Sequence, residues 1–114
     1  MAITELYSGT EAVSTTEHSL TTDTAGPDAD TTPGIYQVFL DVSDMIAGDE
    51  LQIRVYEKCR SGDTQRVVME ETLTGARSTP IWVSPSLILM HGWDVTLDAI
   101  TGTVTVLWSI RQVA

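Results

Sequence analysis

The chain has 114 residues, a formal net charge of −10 from six basic and sixteen acidic side chains, and a single cysteine. That length supplies one domain with one hydrophobic core, and the lone Cys59 excludes an intramolecular disulfide and a cysteine-built zinc site. The acidity opposes phosphate backbones and anionic lipid surfaces, so neither nucleic acid nor a membrane is an expected partner.

Seventeen threonines and abundant valine favour pleated, half-buried surfaces and tilt the composition toward an all-β fold. Residues 1–20 have little helical periodicity and read as an extended N-terminal arm or first strand, with residues 21–114 forming the domain proper. The opening "MAITELYSGT" has neither the basic start nor the apolar run of an export signal, so synthesis in a reducing cytoplasm is expected. Leu6 and Tyr7 are positioned to anchor the arm to a core or to a neighbour. The segment 21–34, "TTDTAGPDADTTPG", has the Pro, Gly and Asp content of a loop. A loop of that length in a compact domain tends to be functional or mobile.

The stretch "IYQVFLDV" (35–42) places Tyr36, Val38, Leu40 and Val42 on one face and Ile35 and Phe39 on the other, so both faces are expected to be partly covered. Ser43 or Asp44 could cap one helical turn that Gly48 ends. "LQIRVYEK" (51–58) alternates cleanly, with Leu51, Ile53 and Val55 inward. After a turn at Ser61-Gly62-Asp63, residues 65–74 alternate less well, because Val67, Met69 and Leu73 share a face with Glu71. Pro85 breaks the strand signal over 81–90 and implies an edge or a bulge. Within it Trp82 has a claim to exposure, since Ile81 and Val83 share the opposite face; a core position is the alternative.

In 91–113 apolar and polar residues alternate, break at Thr101-Gly102, and alternate again, the pattern of a half-buried antiparallel hairpin. Trp93 and Trp108 fall on its inward face and are expected in the core. Seven or eight strands with turn signals every eight to twelve residues give a single antiparallel β-sandwich of jelly-roll or Ig-like type, with a small barrel as the alternative.

Chemistry-bearing patterns are sparse. His18 and His91 have no partner at ligand spacing, and Glu17, adjacent to His18, faces the other way along a strand, so both read as surface or turn histidines. There is no G-x-S-x-G, and Cys59 between Lys58 and Arg60 reads as incidental. Asp23, Asp28 and Asp30 supply oxygens of the kind that bind Ca²⁺, but without EF-hand spacing, and read as a solvated acidic loop. The expectation is therefore a protein without enzymatic activity, cofactor or metal. Its candidate contact residues are Leu6, Tyr7, Asp23, Asp28, Asp30 and Trp82.

The stretches "MAITELYSGTEAVSTTEHSL", "GIYQVFLDVSDMIAGDELQIRVYEKCRSGDTQR" and "WVSPSLILMHGWDVTL" resemble those of small virion structural proteins of tailed bacteriophages, particularly capsid decoration, or cement, proteins. The resemblance runs over the whole chain and contains no functional motif. It implies a subunit on the capsid surface, a homotrimer bound to the lattice of the major capsid protein and stabilising the shell. The alternative within the same setting is a tail or head-fibre module that binds a host glycan or receptor through Trp82 and loop 21–34.

Overall fold

The computed structural model describes residues 2–113; Met1, in the expected arm, and Ala114, at the end of the expected domain, lie outside the described residues. The chain is all-β. Ten strands follow in order: β1 (Ile3–Val13), β2 (His18–Ser19), β3 (Thr24–Ala25), β4 (Gly34–Asp41), β5 (Glu50–Glu57), β6 (Arg66–Thr74), β7 (Ile81–Val83), β8 (Leu87–Leu89), β9 (Asp94–Thr101) and β10 (Val104–Val113). They form two antiparallel sheets. In sheet A the order is β1-β10-β4-β7, with β8 also paired to β4; in sheet B it is β3-β2-β9-β5-β6.

The period-two pattern sets which side chains face in. Tyr36, Val38 and Leu40 of β4 and Val106, Trp108 and Ile110 of β10 meet Leu51, Ile53 and Val55 of β5 and Val95 and Leu97 of β9 in one buried cluster. The two sheets thus share a core. The count of ten exceeds the seven or eight expected because two short strands form within 18–25 and the 81–90 segment divides at Ser84–Ser86. At that division Ser84 replaces the missing ladder. The Val38 amide donates to Ser84 Oγ at 2.9 Å, and the hydroxyl donates onward to the Pro85 carbonyl at 2.8 Å. The buried hydrogen-bonding groups beside the proline are thereby satisfied.

Two local expectations are corrected. The segment 91–113 is not a hairpin: β9 pairs with β2 and β5, while β10 pairs with β1 and β4 in the opposite sheet. Alternation fixes a strand's inward face. It does not distinguish two strands hydrogen-bonded side by side from two that face each other across the core, and both arrangements bury Trp93 and Trp108. The segment 43–49 contains no helical turn; it holds two tight turns, closed by Met45 N–H to Val42 O at 3.1 Å and Asp49 N–H to Ile46 O at 3.1 Å. The Asp41 and Asp49 carboxylates accept the Ser43 and Ile46 amides and hold the chain in these turns.

The segment 1–20 supplies β1 and β2. β1 pairs with β10 at ten positions, with a bulge between Glu5 and Tyr7. Opposite Trp108 stands Gly9, and a Cβ there would lie 2.6 Å from the indole Cζ2. The Trp108 ring also meets His18 edge-on at 5.6 Å between centroids and donates its N–H to the Leu20 carbonyl at 3.1 Å. One side chain of sheet A is thus locked between its neighbour β1 and the β2 segment of sheet B.

Gly9→Val is expected to destabilise the fold by about 1–3 kcal/mol through overpacking, and Trp108→Ala by about 3–5 kcal/mol through the cavity it leaves. Combining Gly9→Ala with Trp108→Phe should cost less than the sum of the two single changes, because the smaller ring vacates the space the new methyl needs. Denaturant midpoints check all three. A Gly9→Val midpoint equal to that of the wild type would contradict the close approach.

Candidate functional site

The outer face of sheet A carries apolar side chains. Ile3, Val113, Ile35 and Ile88 are successive cross-strand partners on β1, β10, β4 and β8. A second row joins Ser8, Ser109, Phe39 and Val83, and a third joins Thr10, Leu107, Asp41 and Ile81. Ile88 is 81% exposed and Leu107 50% exposed, and Ile3, Ile35, Ile81 and Val83 are also open to solvent. A polar strip crosses between the rows: the Arg111 guanidinium lies 3.7 Å from the Phe39 ring centroid, and Ser109 Oγ donates to Glu5 Oε2 at 2.6 Å. A depression of about 190 Å³ between Phe39, Ile81 and Leu107 and another of about 160 Å³ between Ile3, Ile35 and Val113 flank this strip.

The outer face of sheet B is the opposite in character. Arg54 on β5 sits among carboxylates, 2.7 Å from Asp98, 3.1 Å from Glu70 and 3.6 Å from Glu17. Glu17 also accepts hydrogen bonds from the Tyr56 and Thr96 hydroxyls. Burial and the Glu17 carboxylate push the Tyr56 phenol up from 10.0 to about 12.

The sequence-derived contact residues are dispersed. Asp23 accepts from or faces His18 Nε2 at 2.8 Å, with its own backbone at φ 56°. Asp28 is exposed, and its amide donates to Asp94 Oδ2 at 2.7 Å. Asp30 accepts the Tyr7 hydroxyl and pairs through its backbone with Trp93. Burial first, and then the Asp30 carboxylate, raise the Tyr7 phenol well above its ordinary value. The three aspartates therefore have separate partners, and among the described residues no group of His, Cys, Asp and Glu side chains is placed to hold a metal ion. Leu6 and Tyr7 are half-buried against the core, and Trp93 and Trp108 lie within it. Of the two readings left open for Trp82, the structure has the inward one: it stands directly opposite the buried Leu40 and packs half-buried against the core, so Ile81 and Val83 are the side chains shown to solvent.

Two buried polar residues carried no sequence signal. Asp94 is 0% exposed because loop 21–34 folds back over β9; its carboxylate accepts from Thr21 Oγ1, the Asp28 amide and the Val95 amide at 2.7–2.9 Å. His18 is buried rather than superficial, with Nε2 at Asp23 and Nδ1 3.5 Å from Glu11. Both ring nitrogens face carboxylates.

No protein-family model matches the chain, and no curated protein sequence matches it. Its fold is similar to that of a pentameric capsid protein isolated from metagenomic phage sequences, with 16% identity, a TM-score of 0.43, and coverage of 97% of this chain and 65% of that one. A second structure described as a pentameric capsid protein from metagenomic phage sequences gives 16% identity and a TM-score of 0.43, covering 97% of this chain and 62% of that one. The chain thus spans less than two thirds of the length of these capsid proteins. Eiger TNF from S. frugiperda gives 12% identity and a TM-score of 0.44, with 97% of this chain and 88% of that one covered.

Asp94→Ala would leave the Asp28 amide and the Thr21 hydroxyl without their acceptor, at a cost of about 1–3 kcal/mol. Amide exchange should accelerate at Asp28, while Asp94→Asn, which keeps one carbonyl oxygen, should be milder. The phenols give an alkaline limit. Tyr56 holds its proton more tightly folded than unfolded, so its contribution is complete below pH 10 and is lost as pH rises from 10 toward about 12. Tyr7, shifted in the same direction, adds to this loss. Melting temperatures across that range should fall less steeply for Tyr56→Phe than for the wild type.

Proposed function

We propose that this chain is a non-enzymatic virion structural protein of a tailed bacteriophage, a capsid decoration or cement protein that binds the lattice of the major capsid protein and stabilises the shell. The observation that carries the reading is the apolar outer face of sheet A, supported by the whole-chain sequence resemblance to virion structural proteins. Four strands spaced about 4.8 Å apart and six residue steps of about 3.4 Å give that face an area on the order of 400 Å². Against a flat partner it would bury about 800 Å² in total, short of the roughly 1,200–2,000 Å² of a stable binary interface. A single copy would therefore bind weakly, and durable occupancy requires linked copies on a repeating lattice. Self-association as a trimer meets that requirement, and the outer edge of β1, unpaired among the described residues, offers a strand for it. The two-sheet core belongs to a β-sandwich in this reading, with a rigid face held between its loops. The glycan-binding alternative lacks its platform, because the Trp82 ring is on the inward side.

The test is rebinding to stripped, expanded shells of the phage that encodes the chain. The wild type should cosediment saturably, at hundreds of copies per shell, and raise the shell's melting temperature as its sites fill. Leu107→Asp, on the exposed centre of the third row, should weaken binding at least tenfold while leaving the free protein's own melting temperature nearly unchanged. Equal binding by Leu107→Asp would remove this face from the interface, and no wild-type binding would overturn the decoration reading.

A further inference from the structure

A second surface, sharing only Ile88 with the sheet A face, combines features that the proposed role does not use. A cleft of about 860 Å³ opens between the start of β6 and β8. Its apolar walls are Val67, Val68, Ile88 and Met90, all exposed. Around them stand Lys58, Arg66 and His91.

The charges are unusual for a chain of net −10. Both lining carboxylates are already engaged: Glu57 Oε2 accepts the Met90 and His91 amides at 2.7 and 2.9 Å, and Asp63 holds Arg60 at 3.1 Å. Among the described residues, Lys58 and Arg66 form no ion pair, whereas Arg54 is held by three carboxylates. Lys58 is also positioned. Its aliphatic stem lies over Gly92, where a Cβ would come within 2.8 Å of Cε and where φ is +54°. Two unpaired cations therefore border an apolar cleft beside a strand edge.

That edge is free. β6 is the last strand of sheet B and pairs on one side with β5. Its nine residues extend for about 30 Å at roughly 3.4 Å per residue, leaving backbone donors and acceptors open to an added strand.

We propose that this cleft receives an extended acidic segment of a partner protein, which adds to the β6 edge. Alternate apolar side chains of the segment meet Val67, Val68 and Met90, while its carboxylates meet Lys58 and Arg66. Backbone pairing supplies affinity, and the alternation of apolar and acidic side chains supplies selectivity. The segment is acidic because an acidic occupant is attracted by the two free cations, and a basic one is repelled by them.

The probe is a capped, fluorescent peptide, Asp-Val-Asp-Leu-Asp-Val-Asp, compared with the same peptide bearing Lys in place of Asp. The full chain should bind the acidic peptide saturably and the basic one at least tenfold more weakly, with affinity falling as salt rises. Arg66→Glu and Val68→Asp, both at exposed positions, should each lower affinity at least fivefold with unchanged circular dichroism. Amide exchange should slow on binding at Arg66–Val68, the part of β6 that lines the cleft, and not at Glu70 and Glu71 beyond it. Absence of binding, equal binding of the two peptides, or protection elsewhere than β6 would overturn the proposal. So would sedimentation showing a dimer of the free chain that Arg66→Glu dissociates, since a second copy would then be the occupant. Neither variant touches the face around Leu107, so this result and shell rebinding are read independently.

Discussion

The fold turns on the contact between Trp108 and Gly9. The indole of β10 fills space that any other residue at position 9 would occupy, and its edge and N–H reach the β2 segment of the other sheet. This contact holds β1 against β10 while tying sheet A to sheet B through His18 and Leu20. Trp93 repeats the principle elsewhere in the core, packing at a tilt against Tyr36 with ring centroids 4.5 Å apart and donating to the Thr32 carbonyl at 2.9 Å. Large aromatic rings with a single satisfied polar atom bury much area while fixing direction. The outer surfaces can then diverge in chemistry.

That divergence was partly legible in the sequence. The simultaneous apolar character of Tyr36/Val38/Leu40 and Ile35/Phe39 reads as a strand partly covered on both faces; in the structure the first set is buried, while on the outer surface of sheet A Phe39 is half-buried and Ile35 is open to solvent. The inward set of β5 followed from its alternation, and the interruption at Pro85 from the amide donor that proline lacks. Period-two patterns record which way a side chain points but not which strand lies beside it. The Thr101-Gly102 break therefore looked like a hairpin turn when it is a crossing between sheets. The same limit left Trp82 open: Ile81 and Val83 form an apolar pair that competes with it for the inward face until β4 is known to place Leu40 opposite Trp82.

The candidate sites were less legible, because their residues meet through loops. Asp94 looked like an outward strand residue, and only the fold-back of loop 21–34 over β9 buries it. His18 acquires Glu11 and Asp23 from β1 and from a turn, at spacings no motif describes. Asp23, Asp28 and Asp30, close in sequence, are separated by the partners each one takes. The basic cleft was hidden for a related reason. Lys58 and Arg66 lie in a stretch of mixed charge, and their freedom becomes visible only when the neighbouring carboxylates prove to be occupied elsewhere.

Together these features give three surfaces: an apolar sheet face, a carboxylate-rich sheet face, and a cleft with unpaired cations. The central functional claim is that the apolar face turns toward a capsid shell. A cryo-electron microscopy reconstruction of stripped shells rebound with the purified protein tests it most directly. The account predicts density for this chain at repeated lattice positions, with β1, β10 and β4 lying against the shell and Leu107 and Ile35 at the contact. Density in which sheet A faces solvent, with the shell contact made by loop 21–34 or by the outer face of sheet B, would contradict it.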